Sequence, residues 1–156
     1  MTTAPHILFH RPTLWSSDVQ CSTKVLARLF AGRGFGVSYL ENPLDPVHLL
    51  RAKGYMQEWR RAPYIDRGVR ILNMATPVPV RDIWPLSTPM ASYLKYRFMV
   101  PSLRSCATSG GRSTPDLIWT TVPGSVGALK KSFPYTRVVF HVVDYYPAFR
   151  GDAVIP

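Results

Sequence analysis

Acidic side chains are scarce in this chain of 156 residues: nine Asp and Glu stand against nineteen Lys and Arg, a formal net charge of +10. Such a surplus invites an anionic partner, whether phosphate, nucleic acid or an acidic membrane face. Long apolar runs are missing too. None exceeds three residues, as in Ile7-Leu8-Phe9 and Val138-Val139-Phe140, so no segment reads as a bilayer span. The opening Met1 to His6 lacks the charged region and apolar stretch of a secretory signal. Cysteine is limited to Cys21 and Cys106, which fit no metal-ligand spacing and make a poor disulfide framework. Buried thiols in a cytoplasmic protein are the expectation. Glycine signatures are also absent. No GxGxxG follows the first strand, and neither GxxxxGK[ST] nor GxSxG occurs. This counts against a dehydrogenase, an NTPase and a hydrolase with a nucleophile elbow.

What is present is enough for a packed core: 46% hydrophobic residues and 18% charged. His6 to His10 reads as a strand, ended by Arg11-Pro12. Ser17-Asp18-Val19-Gln20 has the form of a capping box. The helix behind it should carry Val25, Leu26, Leu29 and Phe30 inward and Lys24, Arg28 and Arg33 outward, stopping at Gly32 and Gly34. Gly36 to Leu40 is the next strand, closed by Glu41-Asn42-Pro43, which completes a βαβ unit. Further on come a strand over Val69–Met74 and a helix over Met90–Cys106, kinked or split at Pro101. A strand over Leu117–Thr120, a helix over Gly124–Ser132 with Val126 and Leu129 inward, and a strand over Arg137–Val143 follow. Five strands with interposed helices predict an α/β, Rossmann-like, doubly wound parallel sheet in one domain spanning 1–156.

The charge is uneven. Residues 51–104 hold ten basic side chains and three acidic ones, interleaved with aromatics such as Tyr55, Trp59, Tyr93 and Phe98. Such a mixture suits a peripheral membrane surface or a nucleic-acid platform, and equally a solvated basic face over packed aromatics. In open α/β sheets ligands bind beyond the carboxyl ends of the strands. That rule selects His10 and Arg11 after the first strand. It also selects the turn Thr120-Thr121-Val122-Pro123-Gly124-Ser125, whose backbone amides would favour an anion or sugar hydroxyls. The late stretch Phe140-His141-Val142-Val143-Asp144-Tyr145-Tyr146 releases a carboxylate from a strand end, where a general base or hydroxyl-orienting acceptor is useful. Strand alternation directs His141 and Asp144 to opposite sides, so they do not form a simple dyad.

Pro115-Asp116-Leu117-Ile118-Trp119 and the run from Val138 to Gly151 resemble segments of the N-terminal domain of bacterial GT-B glycosyltransferases. The branch is that of teichuronic-acid, capsule and exopolysaccharide biosynthesis. The opening is similar as well: a strand, Arg11-Pro12 with Trp15 nearby, a helix around Leu26–Phe30 and a strand ending in Leu40-Glu41. Two of the late motif's aspartates are replaced here by His141 and Tyr145, and only Asp144 is retained. The resemblance implies transfer of a sugar from a nucleotide-sugar donor to a glycan or lipid-linked acceptor, at the cytoplasmic membrane face. Asp144 would contact the acceptor hydroxyl, and His10, Arg11, Trp15, Thr121 and Tyr145 would line the acceptor side of the cleft. No bound cofactor or metal is implied. A GT-B enzyme has two Rossmann-like domains, so this chain is expected to be the acceptor half, inactive without a donor-binding domain that follows it. The basic, aromatic middle third would touch anionic lipid.

A second reading needs no resemblance: a non-enzymatic basic α/β module binding nucleic acid or anionic membrane. No RRM, KH, OB or helix-turn-helix signature favours nucleic acid.

Overall fold

The computed structural model describes residues 4–10, 15–16, 21–47, 63–79, 88–108 and 114–142. Six strands form one sheet: β1 (His6–His10), β2 (Gly36–Leu40), β3 (Tyr64–Asp66), β4 (Val69–Leu72), β5 (Leu117–Thr120) and β6 (Arg137–Phe140). Their order is β3-β4-β2-β1-β5-β6. All pairings are parallel except β3 with β4. β1 is central and buried along its whole length, as befits a strand covered on both faces.

Helices lie on both sides. On one, α1 (Ser22–Gly32) packs Ala27, Leu26, Phe30 and Ala31 onto Ile7, Phe9, Val37, Tyr39, Val69 and Ile71. On the other, α2 (Pro89–Arg97), α3 (Leu103–Thr108) and α4 (Val126–Ser132) cover Leu8, Leu40, Leu72 and Ile118. The domain is thus an α/β, Rossmann-like, mostly parallel sheet. Among the described residues no helix is long and apolar enough to cross a membrane.

Some expectations change and others hold. A sixth strand exists: β3 turns into β4 through Arg67 and Gly68, both at positive φ (49° and 78°), the geometry of a two-residue hairpin whose twist matches its strands. The helix over Met90–Cys106 is split at Pro101 as expected, into α2 and α3, with Val100 pairing with Ala75 between them. Proline lacks the amide a continuous helix would require there.

The inward face of α1 also differs. Its N-cap is Cys21, whose side chain makes no capping bond, and Ser17 to Gln20 lie outside the described residues. Thr23, Lys24 and Ala27 are buried, while Val25 and Leu29 are exposed. Small Ala27 at the centre of that face lets the helix sit close over the aromatic shelf of Phe9, which rotates Val25 and Leu29 outward.

The end of α1 is built as its sequence suggests. Gly34 takes φ +84°; its N–H reaches Ala31 O (3.0 Å) and Phe35 N–H reaches Phe30 O (3.1 Å). This is a Schellman cap, and the Phe30 and Phe35 rings meet edge-on at 5.4 Å, the apolar contact that accompanies such caps. The β6 strand ends at Phe140, three residues short of its expected end, where His141 N–H closes on Thr120 O.

Candidate functional site

Strand order locates the crevice. After β1 the chain adds β2 and then β4 on one side, and returns to place β5 on the other side of β1. The switch point is therefore between the carboxyl ends of β1 and β5, where His10 and Thr120 face each other in register. Both side chains are fully buried. Because Ile7 and Phe9 face α1, His10 shares its face with Leu8, toward α2 and α4.

A chain of hydrogen bonds runs through this point, and its anchor fixes its direction. Ser125 Oγ donates to Val122 O at 2.6 Å, so it accepts from Thr120 Oγ1 at 3.2 Å. Thr120 Oγ1 also accepts Val122 N–H at 3.2 Å. With its only proton on Ser125, Thr120 must accept from His10 Nδ1, 3.1 Å away. This places a proton on His10 Nδ1, so that in the neutral imidazole Nε2 is the basic nitrogen. The Tyr96 hydroxyl of α2 lies 3.0 Å from Nε2 and donates to it in that form, with the two rings 5.6 Å apart. A ligand hydroxyl that took the place of Tyr96 would meet a nitrogen able to accept its proton.

The other predicted site residues distribute differently. Thr121, one position beyond Thr120, is half-buried and takes no part in this chain. The turn after β5 closes on itself: the N–H groups of Val122, Ser125 and Val126 bond to Thr120 Oγ1, Val122 O and Pro123 O. These amides are not available to an anion. What was expected to be one helix from Gly124 is a 3-10 turn, Pro123–Ser125, followed by α4, and its Leu129 is buried as expected.

Trp15 is buried on the α1 side and not beside His10. Its indole N–H donates to Asp66 Oδ2 at 2.8 Å, its ring meets Tyr39 edge-on at 4.8 Å, and Arg28 lies 4.9 Å above it. Its backbone N–H is held by Glu41. With the side-chain amide of Asn73 turned to satisfy both groups, its nitrogen donates to the same carboxylate at 2.7 Å. Arg11, Asp144 and Tyr145 lie outside the described residues. His141 leans edge-on against Trp119 at 5.5 Å, and neither His141 Nδ1 nor Trp119 Nε1, both buried, has a hydrogen-bond partner among the described residues.

No family model matches the chain, and no curated protein or solved structure matches it significantly. The site rests on its own geometry.

Residue-level reading of the sequence missed Tyr96 and Glu41 as organisers. Tyr96 lies 86 positions from its partner His10, and only the packing of α2 over β1 joins them. Glu41 directly follows β2 and carries the ordinary signal of a strand-end carboxylate. Its burial was not foreseeable, because that depends on Trp15 folding back over it. Among the described residues, no three His, Cys, Asp or Glu side chains converge as metal ligands would.

Proposed function

We propose that this domain is the acceptor-side half of a GT-B glycosyltransferase that moves a sugar from a nucleotide-sugar donor to a glycan or lipid-linked acceptor. The observation that carries the reading is His10: a buried imidazole at the β1/β5 switch point, with its Nε2 facing a tyrosine hydroxyl. A hydroxyl nucleophile must lose its proton as the glycosidic bond forms, and a positioned imidazole or carboxylate serves that need. The motifs around Pro115–Trp119 and Asp144 support the same reading. In it, His10 orients the acceptor hydroxyl in the place Tyr96 occupies, Asp144 also contacts that hydroxyl, and Arg11, Thr121 and Tyr145 flank the acceptor.

The test is a titration of the isotopically labelled chain with soluble oligosaccharides and with short polyprenyl-phosphate sugars, following the His10 ring resonances. One acceptor class should shift these signals saturably. His10→Gln and Asp144→Asn should each weaken its binding by about ten-fold, the value of one hydrogen bond to a polar ligand. If no acceptor moves His10, or if both variants bind as the parent does while far-UV circular dichroism shows them folded, the reading is wrong.

A further inference from the structure

Helix α2 is built inside out. Lys95 is only 5% exposed, whereas Met90 is 73% and Phe98, the residue capping the helix, 54% exposed. At 100° per residue, Tyr93, Arg97, Met90, Leu94 and Phe98 fall on one arc about 140° wide. Lys95 and Tyr96 fall on the opposite side, Tyr96 against His10. All four apolar members of the outward arc are exposed, and Val100 continues the patch beyond the helix.

The rim of this patch is cationic. Lys131 of the adjacent α4 rests 4.3 Å above the Tyr93 ring, Arg97 stands within the arc, and exposed Arg104 ties α3 to α4 through Ser132 O (3.2 Å). Among the described residues, α2, α3 and α4 carry no acidic side chain to offset those charges. Between Asp82 and Asp144 the sequence has one acidic residue, Asp116, against seven basic ones. Asp116 is held at the far end of β5 by the backbone N–H of His6.

We infer that the outward face of α2, with the neighbouring edge of α4, docks on an anionic lipid bilayer. Aliphatic and thioether side chains inside a cationic rim match acyl chains beneath acidic head groups. A nucleic-acid surface would use Tyr93 and Phe98 for stacking, but Met90 and Val100, the most exposed of the patch at 73% and 65%, are thioether and aliphatic groups that bases and phosphates do not cover. A two-fold dimer through this face would set Arg97 and Lys131 against their own copies with no carboxylate between them. The inference stands apart from the glycosyl-transfer reading, which is tested at His10.

Co-sedimentation with phosphatidylglycerol–phosphatidylcholine vesicles, and with vesicles of phosphatidylcholine alone, tests it. The parent chain should bind the anionic vesicles and leave the neutral ones. The triple variant Met90→Ser, Leu94→Ser, Phe98→Ser and the double variant Arg97→Gln, Lys131→Gln should each lose at least about ten-fold in anionic-vesicle affinity. All five positions are exposed, and unchanged thermal melting confirms that the fold persists. Val25→Ser with Leu29→Ser, exposed apolar positions of α1 on the other face of the sheet, should bind as the parent does. Equal binding to neutral vesicles, or full retention by the triple variant, overturns the proposal. So does a parent dimer in sedimentation velocity that the triple variant dissolves, or binding to duplex DNA but not to vesicles.

Discussion

The two faces of the sheet solve different problems with the same strands. Toward α1, Phe9 lies within 6.4 Å, centroid to centroid, of Phe30, Tyr39 and Trp119, and a buried tryptophan extends that cluster to Glu41 and Asp66. Toward α2 and α4, alternate residues of the same strands give Leu8, Leu40 and Ile118, interrupted at the carboxyl edge by His10 and Thr120. The aromatic side acts as foundation. The aliphatic side tolerates a polar chain because every link is hydrogen-bonded, and an unpaired link would cost what an unsatisfied buried group costs. The contrast shows that the site is placed by one pleat: shifting a residue along β1 or β5 would put its side chain among aromatics.

Breaking the foundation should have the largest effect. Phe9→Ala removes the hub of the aromatic cluster and should cost about 3–5 kcal/mol in urea unfolding. The other side can be probed through Cys106, on the buried face of α3. Burial pushes its thiol up from 9.0 to about 11, opposed by the nearby Arg70 guanidinium. The unfolded thiol therefore ionises first, and the folded state holds the extra proton. Stability from this group is intact below pH 9 and is lost as pH rises toward 11, on the order of 2–3 kcal/mol. Unfolding of the parent and Cys106→Ala across pH 8–11 isolates it, since the difference between them should narrow as pH climbs. A smaller effect is expected from His10→Leu, which keeps apolar volume but removes one hydrogen bond each from Thr120 and Tyr96. About 1–3 kcal/mol should be lost. If His10→Leu were instead neutral or stabilising, the polar chain would carry no net stability and its presence would have to be explained by binding.

Much of this was visible in the residues. The apolar runs of β1, β2 and β5 and the Gly34 cap read directly, because local chemistry dictates them. Strand order did not, since nothing in Val69–Leu72 says that it pairs with β2 and not with β1. Tyr64-Ile65-Asp66 is too short to announce an edge strand. Val25 and Leu29 looked inward by periodicity, but periodicity does not say which residue a helix places closest to its sheet, and small Ala27 took that position. At the site, the rule of strand ends found His10, while Thr121 was one pleat away from the residue that bonds it. Tyr96 could be found only once α2 was seen over β1. Asp144, Arg11 and Tyr145 lie outside the described residues.

The fixed direction of the hydrogen-bond chain makes it an asymmetric reporter. When His10 gains a proton it does so at Nε2, because Nδ1 already carries one. Thr120, Ser125 and Val122 O then keep every bond they had. The bond to Tyr96 must reverse, from donor to acceptor, so a change of charge on the imidazole is passed to α2 while the chain through Thr120 stays as it was.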